Sequence, residues 1–251
     1  LGIIYRDISI FFVLIVLNSF HSNVFSKMKE KNISDWSIDL LSLTIQGIIV
    51  PVLQTLVLMN LLSNIVPNME GSLKLPAIVS FLINFVFVDY LYYWAHRFLH
   101  HPKLWVWHRV HHSSKVMDVF VCSRNSLLTT FLLPYIWMNS IFLFLLEDKT
   151  AYITSMSITA LLDAWRHSKL KLPSGVIGKF FRYFLITPIE HSTHHSKKLC
   201  QKNFAANLSI WDKIHGSYSS EESDSEDIGI TVKGSFWYKF LYPGKYSRGQ
   251  Q

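Results

Sequence analysis

Nine of the chain's twelve histidines stand in short motifs or at one lone position. His96 and His100 form HxxxH. His108, His111 and His112 form HxxHH, and His191, His194 and His195 form it again. His167 lies alone between the last two motifs. Imidazole is the commonest protein ligand for borderline transition metals. Residues three and four apart share a helix face, so each motif is expected to aim two or three ring nitrogens at one point. Eight motif histidines exceed the four ligands of a tetrahedral zinc and suit two metal ions close together. His101 is set aside, because beside His100 it points elsewhere on a helix.

The elements that carry these motifs are apolar. Half of the 251 residues are hydrophobic, 16% are charged, and the mean hydropathy is +0.24. Residues 40–66 and 125–146 contain no Asp, Glu, Lys or Arg, and residues 76–88 are uncharged and continue through Asp89 to residue 95. Crossing a bilayer takes about 20 apolar residues, so these three stretches read as membrane helices. Residues 8–20 and 150–162 are shorter runs, the second read as half of a hairpin with the helix before it. Trp and Tyr at membrane interfaces account for the 15% aromatic content. A very apolar soluble core is the competing reading. No small-residue cleavage site follows the first run, so no cleaved signal peptide is expected. Two cysteines, Cys122 and Cys200, make no disulfide framework.

The expected architecture is all-α, an integral-membrane helical bundle of about four to five membrane helices with a cytoplasmic, histidine-lined di-metal site. Residues 1–251 read as one unit, with membrane helices mainly within 3–165 and histidine-bearing segments at 96–125 and 166–218. Charge orients it. Five Lys or Arg lie from Arg97 to Arg124 against Asp118 alone, and nine from Arg166 to His215 against Glu190 and Asp212. Positive charge favours the cytoplasmic side, and anionic headgroups account for the net charge of +7. A nucleic-acid partner is not expected, because the basic residues flank apolar helices and no recognition motif is present.

Other residues join the motifs by spacing. Asp89, Tyr92, Tyr93, His96 and His100 make one helical stripe. An acid in a membrane helix is costly and usually functional, and a ligating imidazole normally donates its second N–H to a carboxylate or carbonyl. Asp89 is read as that acceptor, directly or through Tyr92 or Tyr93, against a packing role. Pro102 should end this helix and let a second begin, presenting His108, His111 and His112. Pro188 favours a helix start before His191. Glu190 is read as either supporting His191 or solvated. Arg124 and Asn125 are read as positioning a polar headgroup, against a phosphate-contacting or solvated arginine. Asp163, one turn before His167, is read first as capping or exposed, against facing the metals. The stretch 219–227 reads as a solvated acidic loop, and the aromatic segment 236–243 as lying on the membrane or the catalytic face.

HxxxH, HxxHH and HxxHH in this order, beside apolar helices, form a specific pattern. Together with residues 89–97, Leu104-Trp105, 108–113, His167-Ser168, 187–191, 203–212 and 216–218, they resemble the fatty acid hydroxylase/sterol desaturase superfamily of membrane non-haem di-iron oxygenases. Lys169, Ala206 and His215 depart from the family's usual Asn, Gly and Phe, and His215 is read as a packing substitution. The resemblance implies that His96, His100, His108, His111, His112, His167, His191, His194 and His195 hold two iron ions, with zinc as a possible substitute. It implies O₂ as co-substrate and a membrane lipid (acyl chain or sterol) oxidised at an unactivated C–H bond, hydroxylation before desaturation. Electrons are expected from outside the chain, from a ferredoxin or a b-type cytochrome with its reductase. Cleavage of an ether lipid by hydroxylation beside the oxygen is the alternative within the chemistry. A histidine-lined metal transporter is the alternative outside it.

Overall fold

A computed structural model of the chain describes residues 13, 26, 28–170, 172, 175–222 and 227–241. The run at 8–20, apart from residue 13, lies outside the described residues. Helices are α1 (Ile33–Ile65), α2 (Ala77–Leu99), α3 (Trp105–His108), α4 (Leu127–Leu132), α5 (Pro134–Leu145), α6 (Thr150–His167), α7 (Val176–Phe184), α8 (Pro188–His194), α9 (Ile210–Ile214) and α10 (Phe236–Leu241). Among the described residues there are no strands, only isolated bridges such as Leu185–Leu208 and Ser196–Ile228.

Two of these helices, α1 and α2, are long and apolar enough to cross a membrane. Asn32 starts α1, its side chain accepting from the Asp35 N–H. Both helices turn polar residues inward and apolar ones outward. In α1, Asp39, Ser42 and Gln54 are buried while Ile48, Val52, Leu56 and Leu61 are exposed; in α2, Ser80, Asn84 and Asp89 are buried while Ile78, Leu82 and Phe87 are exposed. A helix facing water would do the reverse. Inside, Gln54 donates to the Ile136 carbonyl (2.9 Å), and Asn84, Asn139, Tyr152 and Ser155 bond one another across α2, α5 and α6.

The uncharged stretch 125–146 is not one spanning helix. Pro134 begins α5 and lacks the N–H that would continue α4, so the chain breaks at Leu133, whose backbone is extended. The segment expected at 150–162 extends to His167 as the 18-residue α6. Helix α10 lays Phe240 in a cluster with Ile45, Val50 and Ile136, and leaves Trp237 exposed.

Candidate metal centre

Helix α2 stops at Leu99, and His100 caps it. The second motif is not one helix. α3 ends at His108, and His111 and His112 sit on a separate tight turn, His111–Ser113. The third motif rides on α8, whose start is fixed by a capping box between Thr187 and Glu190. His167 is the last residue of α6.

All nine histidines converge as two buried groups: His96, His100, His108, His112 and His194, and His111, His167, His191 and His195. Within each group one ring nitrogen per residue lies within 4.8 Å of every other. The expectation that each motif feeds one point is corrected. Each HxxHH sends its i, i+4 pair to one group and its i+3 histidine to the other, so His108 and His112 part from His111, and His191 and His195 part from His194. Residues three and four apart lie on opposite sides of the common face, and two adjacent sites split them. The rings of His112 and His195, one from each group, stack at 4.5 Å.

The hydrogen bonds fix tautomers. Nδ1 of His96 donates to the Phe204 carbonyl (2.6 Å), of His194 to that of Lys202 (2.7 Å), of His111 to that of Arg124 (3.0 Å) and of His167 to that of Asp163 (2.8 Å). A carbonyl only accepts, so Nδ1 holds the hydrogen, and Nε2 of the neutral ring is a bare lone pair. These lone pairs face each other, His96 to His194 at 3.1 Å and His111 to His167 at 3.5 Å. Nitrogens that share one metal ion at bonds of about 2.0–2.1 Å stand about 3 Å apart. Both ring nitrogens of His100 and of His112 are buried without a hydrogen-bond partner among the described residues. Burial, reinforced by neighbouring imidazoles, holds His100, His108, His111, His112, His191 and His195 well below the usual imidazole range, and burial pushes His194 down to about 3. Neutral imidazole is the form that ligates metal. The donor set and its unsatisfied lone pairs fit two metal ions.

The residues around the histidines differ from expectation. Asp89 is buried but bonds no histidine; it accepts from the N–H of Asn207 (2.8 Å) and Leu208 (3.1 Å) and the indole of Trp211 (2.9 Å). It thereby anchors the 203–211 loop, whose Phe204 carbonyl holds His96. Tyr93 bonds Ser217 (2.9 Å) and accepts from Arg97 (2.7 Å), while Tyr92 packs its ring 5.4 Å from that of His96. Glu190 is buried, not solvated, and its carboxylate caps α8 through the Thr187 N–H (3.1 Å). Arg124 is fully buried and its guanidinium is occupied by Asp39 (2.5 Å) and Asp35 (3.1 Å), so it does not meet a headgroup. Asn125 joins α1 by backbone bonds with the Ser42 hydroxyl. His215 stacks on Tyr93 at 5.1 Å, apart from both groups.

Further residues support the site: Asp163, expected first as capping or exposed, and others to which the sequence reading gives no role. Asp163 neither caps a helix nor stands fully exposed; its carboxylate lies 3.1 Å from His167 Nδ1 and 2.6 Å from Arg166. Asp212 accepts from the N–H groups of Phe204 and Ala205, both at 2.8 Å. Asn203 adopts the left-handed backbone (φ 56°), which asparagine tolerates, and ties the loop to Glu190 and Ser219. Beyond the acidic stretch, Gly229 donates to the His195 carbonyl (3.2 Å) and Ile230 to that of His112 (2.9 Å), clipping the two HxxHH motifs together. Asp163 stands four residues before His167, the one position among these with a visible spacing signal.

A profile of the fatty acid hydroxylase family matches residues 81–217. Alkylglycerol monooxygenase of Danio rerio is 33% identical over 165 residues, 63% of this chain and 35% of that protein. The Homo sapiens alkylglycerol monooxygenase is 31% identical over 140 residues, 55% of this chain and 30% of that protein. Lathosterol oxidase of Rattus norvegicus is 29% identical over 150 residues, 59% of this chain and 46% of that protein. The matches thus span less than half the length of these relatives. No solved structure matches the chain. The matched residues take in all nine clustered histidines, and the chain belongs to the fatty acid hydroxylase family, within the fatty acid hydroxylase/sterol desaturase superfamily.

Proposed function

We propose that the chain is an O₂-dependent di-iron oxidoreductase that hydroxylates a C–H bond of a membrane lipid. The observation that carries this reading is the pair of buried histidine groups at the ends of α2 and α6, with lone pairs converging inside each. His96, His100, His108, His112 and His194 would hold one ion, and His111, His167, His191 and His195 the other. Bound iron supplies the redox chemistry that no side chain performs, and zinc, which has no redox chemistry, does not serve. The overall reaction joins one oxygen atom of O₂ to carbon and releases the other as water, consuming two electrons and two protons. Desaturation at the same site would take two hydrogens and add no oxygen.

The protein's own part is to hold and shield. Backbone carbonyls fix four imidazoles with Nε2 inward, and burial keeps water from the groups. The outward apolar faces of α1 and α2 set the site at a bilayer. The proposed arrangement is multi-pass over one domain, and the charge asymmetry favours the cytoplasmic side for the basic histidine-bearing segments. The basic face suits an acidic external electron carrier, a ferredoxin or b-type cytochrome. A second reading, cleavage of an ether lipid by hydroxylation beside its oxygen, is favoured by the relatives named alkylglycerol monooxygenase. Metal transport is disfavoured, because the histidines form closed groups at helix ends.

The test is lipid mass spectrometry under ¹⁸O₂, comparing cells expressing the chain with cells expressing His194→Ala. Labelled oxygen in a lipid only with the intact chain supports monooxygenation and identifies the substrate. A lipid that loses two hydrogens without label makes the enzyme a desaturase. No difference, with electron carriers supplied, overturns the oxygenase reading.

A further inference from the structure

Five charged side chains lie together under the second histidine group. Lys31 pairs with Asp39 (2.8 Å) and Asp118 (2.5 Å), all three nearly inaccessible. Arg124 pairs through Nε with the other oxygen of Asp39 (2.5 Å) and through one terminal nitrogen with Asp35 (3.1 Å). The same nitrogen reaches Ser113 (3.2 Å), the residue after His112, and the other terminal nitrogen donates to the Asp35 carbonyl (3.2 Å). The Arg124 backbone carbonyl meanwhile accepts the Nδ1 hydrogen of His111 (3.0 Å). Asp35 and Asp39 belong to α1, and with Lys31 they lie outside the matched residues 81–217.

Burying charge is expensive unless every partner is in place. The planar guanidinium of Arg124 divides its donors between the carboxylates of Asp39 and Asp35 in one fixed fork, a geometry that a lysine does not reproduce. Here the fixed arginine is the residue whose own carbonyl orients a histidine of the site, and whose guanidinium grips the turn carrying that histidine. Asp118 adds a second hold: it starts the turn Val119–Ser123 that leads into Arg124.

We propose that Arg124, locked by Asp35 and Asp39, is a positioning residue for His111, so that α1 sets the geometry of the second histidine group. This rests on the two-metal reading above. Two histidines of the first group, His96 and His194, are oriented instead by carbonyls of the 202–204 loop. Among the described residues no ring of that group bonds the Arg124 carbonyl, so disturbing the network should weaken the second metal position selectively.

The experiment is cobalt(II) titration of the detergent-solubilised, metal-free chain, read by visible absorption and bound cobalt per chain. Intact protein, Asp39→Asn, Arg124→Lys and Asp35→Asn are compared, with thermal unfolding of each. Intact protein should bind two ions. Each variant should keep one position unchanged and bind at the other about ten- to a hundred-fold more weakly, the usual loss for an outer hydrogen-bonding partner of a ligand. Equal weakening at both positions, or none at either, overturns the proposal. Asp35 is partly accessible, so Asp35→Asn is the mildest change. Failure of all three variants to fold would make the network a folding element and also overturn it. Fewer than two ions on the intact chain would instead overturn the two-metal reading, before any variant is compared.

Discussion

His96 and His194 come from segments 98 residues apart, and their Nε2 atoms face each other at 3.1 Å while each Nδ1 donates to a carbonyl. Two lone pairs at that distance repel unless a cation lies between them. The metal-free protein should therefore be markedly less stable than the metal-bound one. A ligand at a thousand times its Kd adds about 4 kcal/mol per site. Thermal unfolding with and without ferrous or cobalt ions should show a rise of several degrees, reversed by a chelator. An unchanged midpoint would mean that neither group takes a metal.

The two groups are separate, so single-histidine variants should be separable. His194→Ala removes a donor from the five-histidine group, and His111→Ala one from the four-histidine group. Each is expected to abolish activity and to lower bound metal, with the loss confined to its own position. Elemental analysis of purified variants against intact protein checks this. Full metal content and activity in either variant would exclude that residue from the site.

Acid should undo the centre. His194 is neutral in the fold down to about pH 3, and burial shifts His100, His108, His111, His112, His191 and His195 the same way. Unfolded histidine protonates near pH 6.5. Below that pH the unfolded chain holds more protons than the folded one, so stability falls as pH falls, by up to about 1.4 kcal/mol per pH unit for each such imidazole. Above pH 6.5 this contribution is fully present. Unfolding midpoints and bound metal measured from pH 7.5 to 5 should decline together. A midpoint that rises on acidification would contradict the neutral assignment.

Gly229 is predicted to tolerate no side chain. Its φ is 81°, and a Cβ there would stand 2.3 Å from the Ser114 carbonyl oxygen. Gly229→Ala should cost about 1–3 kcal/mol, as overpacking does, and loosen the clip between His112 and His195. Denaturant unfolding and metal content of the variant would report both effects.

The histidines were legible because ligand chemistry sits in residue type and short spacing. Their division into two groups was not, because a three-residue and a four-residue step look alike until a second site competes for them. Arg124 shows the wider limit. Its partner Asp39 lies 85 positions earlier, and no local pattern distinguishes a guanidinium committed to a distant helix from one free to meet a headgroup. Asp89 was found by its cost in an apolar helix, but its bonds go to two backbone N–H groups and the indole of Trp211, 118 to 122 positions away, which no local spacing reveals. The helices at 33–65 and 77–99 were visible in their uncharged runs, whereas Pro134 interrupts a run that composition alone reads as continuous.

Asp212 tests whether the 203–211 loop orients the first group. Its two oxygens take the Phe204 and Ala205 N–H groups at 2.8 Å, and Ser217 donates to it at 2.7 Å. Asp212→Ala would leave two buried donors unpaired at about 1–3 kcal/mol each, a total of about 2–6 kcal/mol. The Phe204 carbonyl would lose its fixed direction, and with it the hydrogen bond that keeps His96 Nε2 inward. Metal at the first position should weaken about ten- to a hundred-fold while the second is retained, the opposite selectivity to Asp39→Asn. Asp212→Asn keeps one acceptor but turns an amide N–H₂ toward the other donor, so it should fall between the two. Stability loss with both metal positions unchanged would show that the loop holds the fold without orienting His96.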